Sequence, residues 1–68
     1  MEERTVHIPA ISCKHCVMTI ERELGELDGI SSVKGNLSTR MVTVKWKPPL
    51  TWERIVQTLD DLGYPPEE

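Results

Sequence analysis

The chain has 68 residues, a formal net charge of −3, 38% hydrophobic and 28% charged residues, two Cys, two Trp, one Tyr and no Phe. That length allows one domain, residues 1–68, with a lean core and no room for a cleft between domains. The composition is too apolar for disorder, lacks the ~20-residue apolar run of a membrane span, and is acidic where a nucleic-acid binder is basic.

Thr5 to Ile8 alternates apolar and polar residues, the period of a strand, and Pro9 closes it. Ala10 to His15 has no period and reads as a loop. From Cys16 the period changes: Val17, Ile20, Leu24 and Leu27 form a helical stripe that Asp28-Gly29 ends, with Ser12 or Cys13 near the cap. Ile30–Leu37 and Met41–Trp46 return to period two. Val33 and Leu37 share one face of the first run, and Val42, Val44 and Trp46 one face of the second. Ser38-Thr39-Arg40 is of hairpin length, and Gly35 predicts a bulge or a close backbone approach. Pro48-Pro49 break the run. Thr51 is an N-cap with Glu53 in the first turn, and Trp52, Ile55, Val56, Leu59 and Leu62 define a second helix that stops at Gly63. Tyr64 to Glu68 carries two prolines and can form only a stub of an edge strand.

The order β-α-β-β-α-(β) is that of a ferredoxin-like βαββαβ sandwich: an antiparallel sheet, two helices on one face, the last strand short or missing. In that topology the loop before helix one, the hairpin and the loop after helix two share one end. Cys13, Cys16 and Tyr64 are then neighbours, and Trp46 and Trp52 lie at the opposite end. Charge is segregated as well. Residues 29–52 hold Lys34, Arg40, Lys45 and Lys47 and no acid, and the alternation turns Lys34, Lys45 and Lys47 to the open sheet face. The helices carry Glu21, Glu23, Glu26, Asp28, Glu53, Asp60 and Asp61, an acidic face that either steers a basic partner or only solubilises the chain.

Ser12-Cys13-Lys14-His15-Cys16 is the one constellation with chemistry. A disulfide across so short a loop constrains the unfolded chain little, and secreted scaffolds carry more Cys, spread out. With no secretory signal at the start, the pair reads as chemical thiols in a reducing, cytoplasmic setting. A helix N-terminus and Lys14 both lower thiol pKa, and thiolates select soft ions such as Cu(I) and Zn(II). Structural zinc needs four ligands, which two Cys and a distant His7 do not supply. Cu(I) accepts two or three thiolates, which leaves an open position for a partner's thiolate. A dithiol redox site is the rival, in a chain shorter than a thioredoxin-like fold and without Trp before the first Cys or Pro inside the pair. Inert structural cysteines complete the alternatives.

Ile11-Ser12-Cys13-Lys14-His15-Cys16-Val17, with Asp28-Gly29-Ile30, Val33, Leu37, Val42-Thr43-Val44 and Leu62-Gly63-Tyr64, resembles the heavy-metal-associated domain family, whose usual pattern is G-M-x-C-x-x-C. The likeness covers nearly the whole chain. It implies a non-enzymatic carrier that holds Cu(I) through Cys13 and Cys16 and delivers it to a P-type ATPase or that ATPase's N-terminal metal-binding domain. His15 inside the motif and Tyr64 after the last Gly are similar to bacterial copper chaperones. Two departures stand out: Pro9-Ala10-Ile11 replaces Gly-Met, with Ile11 able to fill the core role of that Met, and Pro65-Pro66 cut the last strand short. Ser12 offers no carboxylate where zinc and cadmium members often have Asp, which favours Cu(I) over zinc, cadmium or mercury.

Around the two ligands, His15 reads as a solvent or supporting group, with completion of the site or a metal-bridged homodimer as its other role. Tyr64 either shields the ion or packs half-buried, and Lys14 balances the charge of a dithiolate or is plain surface. Met18 and Met41 read as gap fillers rather than ligands. A protein that begins at Met1 and stops soon after the second helix reads as free rather than as an excised ATPase domain. No direct membrane insertion and no nucleic acid are expected.

Overall fold

The structure is a computed structural model that describes residues 1–67. Five elements follow one another: β1 (Glu2–His7), α1 (Lys14–Gly25), β2 (Ile30–Asn36), β3 (Met41–Trp46) and α2 (Trp52–Leu62). The three strands form an antiparallel sheet in the order β1-β3-β2. The sixth element of the ferredoxin-like βαββαβ fold survives as a single antiparallel bridge, His7 to Glu67, on the outer side of β1. Pro65 and Pro66 cannot donate ladder hydrogen bonds, which is why no longer strand forms there.

The alternation explains which face packs. Val6 on β1 and Val42, Val44 and Trp46 on β3 are buried, as are Ile20 and Leu24 of α1 and Ile55 and Leu59 of α2. Their partners in the pleat face water: Thr43 and Lys34 are cross-strand neighbours, and the Thr43 and Thr5 hydroxyls meet at 2.8 Å. Lys45 lies on that open face beside Glu3, Nζ to Oε2 4.0 Å, and Lys47 lies one residue past the end of β3.

Several boundaries differ from the sequence pattern, each for a local reason. β1 starts at Glu2 rather than Thr5, because β3 runs on to Trp46 and gives Glu2, Glu3 and Arg4 the partners Trp46, Lys45 and Val44, although these three residues carry no apolar alternation. α1 starts at Lys14 rather than Cys16, since the first helical turn is fixed by backbone conformation and needs no apolar residue; Cys13 takes the N-cap position without capping it by its side chain. It ends at Gly25, where Glu26 and Leu27 tighten into i→i−3 bonds to Glu23 and Leu24. β2 stops at Asn36, whose side-chain oxygen accepts from the Ser38 and Thr39 N–H groups at 2.9 and 3.2 Å and folds the turn. Leu37 therefore leaves the packed face it would share with Val33 and is 43% exposed. Met18 is no gap filler either: it is exposed on α1.

Gly35 is a close approach. A Cβ there would meet Val17 Cγ1 of α1 at 2.7 Å, so the missing side chain lets helix and strand touch. The register irregularity of β2 falls elsewhere, between Ile30 and Ser32. α2 matches its sequence signals: Thr51 Oγ1 accepts from the Arg54 N–H at 3.4 Å, and Gly63 closes the helix at φ 89°. At the far end, Trp46 and Trp52 stack with ring centroids 5.4 Å apart, and the Arg4 guanidinium lies 5.0 Å over the Trp52 ring. No helix among the described residues is long and apolar enough to cross a membrane.

Candidate metal centre

The segment that carries the thiols is pinned at its start by two buried isoleucines. Ile8 donates its N–H to the Arg40 carbonyl at 2.8 Å and Ile11 to the Ile8 carbonyl at 3.1 Å, and neither side chain has any exposure. Ile11 is thus a core residue, as expected from its place two positions before Cys13. Pro9-Ala10 make the turn between Ile8 and Ile11, and past Ile11 the chain brings Ser12 and Cys13 to the surface as it enters α1.

Cys13 is extended, φ −155° and ψ 168°, and its side chain makes no capping hydrogen bond. A Ser, Thr or Asp in this place would turn its oxygen onto the helix N–H groups; the Cys13 sulfur is left for other partners. Its carbonyl accepts the Cys16 N–H at 3.1 Å, which draws the third helical residue back toward the loop. The two sulfurs come to 3.4 Å as free thiols, Cys13 exposed and Cys16 only 8% exposed. The spacing alone reads as two accessible thiolates. Instead one is presented to solvent and the other sits in the wall, because Cys16 shares the inward stripe of α1 with Val17 and Ile20.

The surroundings favour negative charge on Cys16. Its pKa is lowered from 9.0 to about 6, first by a hydrogen bond from the Tyr64 side chain, then by a backbone hydrogen bond at Ser12 and by the Cys13 thiol; burial opposes these. Tyr64 is pushed above its ordinary value by the same bond to Cys16, by burial and by the negative sulfurs. The Ser12 hydroxyl lies 3.9 Å from the Cys16 sulfur. No acidic residue occupies the first turn of α1, so nothing offsets the positive end of its dipole.

Of the predicted site residues, Cys13, Cys16, Ser12 and Tyr64 are thus brought together, Tyr64 from 48 positions beyond Cys16. The loop after α2 does this: the Tyr64 N–H bonds back to the Leu59 carbonyl at 2.9 Å, beneath the left-handed Gly63. Lys14 and His15 are exposed in the first turn of α1 and point to solvent beside the pair. His7 stays apart, its Nδ1 3.2 Å from Glu67 Oε1. No group of three His, Cys, Asp or Glu side chains converges among the described residues. Sequence reading missed Glu21, whose Oε2 accepts the Gly35 N–H at 3.0 Å and ties α1 to β2. No local signal marks that bond, since it spans 14 positions.

A ferredoxin-like sandwich with a paired thiol at the β1–α1 junction defines a small soft-ligand domain, and comparison with known proteins gives the family. The Heavy-metal-associated domain pattern matches residues 5–65, and the chain belongs to that family. It is 37% identical over 65 residues to the copper chaperone CopZ of Bacillus subtilis strain 168, covering 94% of each chain. It is 35% identical over 63 residues to a probable copper-exporting P-type ATPase of Archaeoglobus fulgidus, covering 91% of this chain and 8% of the ATPase. The solved structure of apo-CopP from Helicobacter pylori is 32% identical, with a TM-score of 0.87, over 97% of this chain and all of that one. Domains homologous to this chain therefore occur both as small proteins and as segments of copper-transporting P-type ATPases.

Proposed function

We propose that this chain is a cytoplasmic copper chaperone that holds Cu(I) between Cys13 and Cys16 and passes it to the metal-binding domain of a P-type copper ATPase. The observation that carries the reading is the thiol pair itself: two free sulfurs 3.4 Å apart at an uncapped helix N-terminus, one already favoured as thiolate. Full-length similarity to a copper chaperone supports copper over zinc, cadmium or mercury, and the absence of a third converging ligand among the described residues supports an ion of low coordination number.

Cargo release follows from the same asymmetry. Exposed Cys13 meets the incoming thiolate first, in the coordination position that the protein leaves open. The partner's sulfur bonds to Cu(I), Cys13 leaves, and Cys16 then leaves for the partner's second sulfur. Copper stays Cu(I) throughout, and one thiolate replaces another. The Tyr64 hydroxyl stabilises Cys16 as a free thiolate once copper has gone. The acidic helical faces of α1 and α2 orient a basic partner at encounter. Lys14 balances the charge of the dithiolate, and His15 stands beside the pair without taking a coordination position.

The test is transfer. The copper-loaded chain is mixed anaerobically with a metal-binding domain of a copper ATPase, the two are separated by ion exchange, and copper is measured in each. Partition of copper to the ATPase domain within mixing time supports the reading. Copper that remains with this chain, or that moves only at the rate of dissociation into a chelator, overturns the delivery step.

A further inference from the structure

The sheet has two outer edges, and they are closed differently. On β2, the outward N–H of Gly35 donates to Glu21 of α1 at 3.0 Å, and the register breaks between Ile30 and Ser32. Both devices blunt a strand edge. β1 has no strand on its outer side among the described residues, and Glu67 meets it only at His7. The phase of the backbone is fixed by two bonds. Ile8 donates inward, toward β3, and the His7 carbonyl accepts outward, from the Glu67 N–H at 2.7 Å. Strand backbones alternate, so Glu3 and Thr5 also turn N–H and C=O outward. A groove of about 540 Å³ follows this edge, lined by Arg4 and Val6 from the helix side, Thr5 and His7 from the open side, and Met41 and Glu67.

We propose that the β1 edge pairs antiparallel with the β1 edge of a second copy of this chain, about a two-fold at Thr5, and that Glu67 is its built-in competitor. A two-fold that makes the strands antiparallel keeps every residue on its own face of the joined sheet, so only alternate registers are allowed. Charge selects among them. Pairing Glu3 with Thr5 of the second copy sets Arg4 against Arg4, and pairing Glu3 with Glu3 opposes two carboxylates. The register with Thr5 opposite Thr5 sets Glu3 against His7 of the second copy, twice, and Arg4 against Val6. It also aligns the outward N–H and C=O groups of both strands.

Within one chain, Glu67 already makes the contacts that Glu3 of a second copy would make. Its N–H bonds to the His7 carbonyl, and its carboxylate lies 3.2 Å from His7 Nδ1. One bridge of this kind is weak cover for a strand edge, and the two carboxylates compete for one place. The pairing uses no thiol and needs no metal, which separates it from a metal-bridged dimer.

Sedimentation equilibrium on the full chain, reduced and with chelator present, tests this. Glu67→Pro removes both the N–H and the carboxylate, and the dimer dissociation constant is expected to fall about tenfold, the scale of one freed hydrogen-bonded position. Adding Thr5→Pro abolishes the gain, because the Thr5 N–H points outward and its loss breaks no β1–β3 bond. Adding Glu3→Lys instead abolishes it without touching the backbone, which keeps the test decisive should the proline variant fail to fold. Amide exchange at Glu3 and Thr5 slows in the dimer. Unchanged self-association of Glu67→Pro, a dimer that survives Glu3→Lys, or a dimer that forms only with metal overturns the proposal.

Discussion

α2 begins as stable helices commonly do. Thr51 caps it, and Glu53 sits in the first turn against the positive end of the dipole. α1 begins with a cysteine in the capping place, no side-chain cap and no acidic residue in its first turn. The two starts are equally regular in backbone and opposite in chemistry. At α2 the unpaired N–H end is answered from within the chain, which stabilises the fold. At α1 the same electrostatic need is left to the sulfurs, so thiolate, with or without a metal ion, takes the place of the missing carboxylate. A carboxylate there would have made a better cap and repelled the thiolates.

The largest effect should come from the sulfurs. Cys13→Ser and Cys16→Ser should each end one-to-one Cu(I) uptake measured against a chromophoric chelator. Yet Cys13→Ser should leave the metal-free domain as stable as before or up to ~1 kcal/mol more so in urea denaturation, since serine is the better cap. A large loss of stability in that variant would break the contrast between the two helix starts.

Tyr64→Phe comes next. It removes the main stabiliser of the Cys16 thiolate, so the Cys16 titration should move up from about 6 in far-ultraviolet thiolate absorbance. Copper affinity near neutral pH should fall about 10–100-fold, the usual scale for a group that supports a ligand. The sign for folding follows. A folded pKa of about 6 against 9.0 makes a contribution fully present above pH 9 and lost as pH falls to 6. In the metal-free protein the stability gap between wild type and Tyr64→Phe should therefore close toward pH 6 and be widest near pH 9, before Tyr64 itself ionises.

Smaller effects concern the platform. Gly35→Ala should cost about 1–3 kcal/mol in the same denaturation experiment, because its methyl must displace Val17 beneath the thiol helix. Thr51→Ala should cost about 1 kcal/mol and leave copper uptake intact, the mirror of Cys13→Ser. Smallest of all is the response of the tryptophans. Trp46 pairs with Glu2 and Ile30 at the end of the sheet away from His7 and Met41, so intrinsic fluorescence should change little when metal binds.

How much of this could be read from residues depended on range. β3 and α2 carry their limits in the sequence: period two from Met41 to Trp46, and Thr51 and Gly63 at the ends of a clear stripe. The meeting of Tyr64 with Cys16 was also legible, because right-handed crossovers fix which loops share an end. Features that depend on a neighbour were hidden. Glu2 to Arg4 become strand only because β3 reaches them, and Leu37 is lost to the turn that Asn36 folds. The inequality of Cys13 and Cys16 was equally hidden, since Cys13 stands outside the helix as an extended N-cap and Cys16 joins the inward stripe only once the start of α1 is fixed at Lys14.

The most direct measurement is an anaerobic Cu(I) titration of the reduced protein against a chromophoric Cu(I) chelator, with the Cys13→Ser/Cys16→Ser double variant beside it. One Cu(I) withdrawn per wild-type chain, and none by the variant, is the predicted result. Equal competition by the two proteins would contradict it and leave the open start of α1 without its proposed ligand.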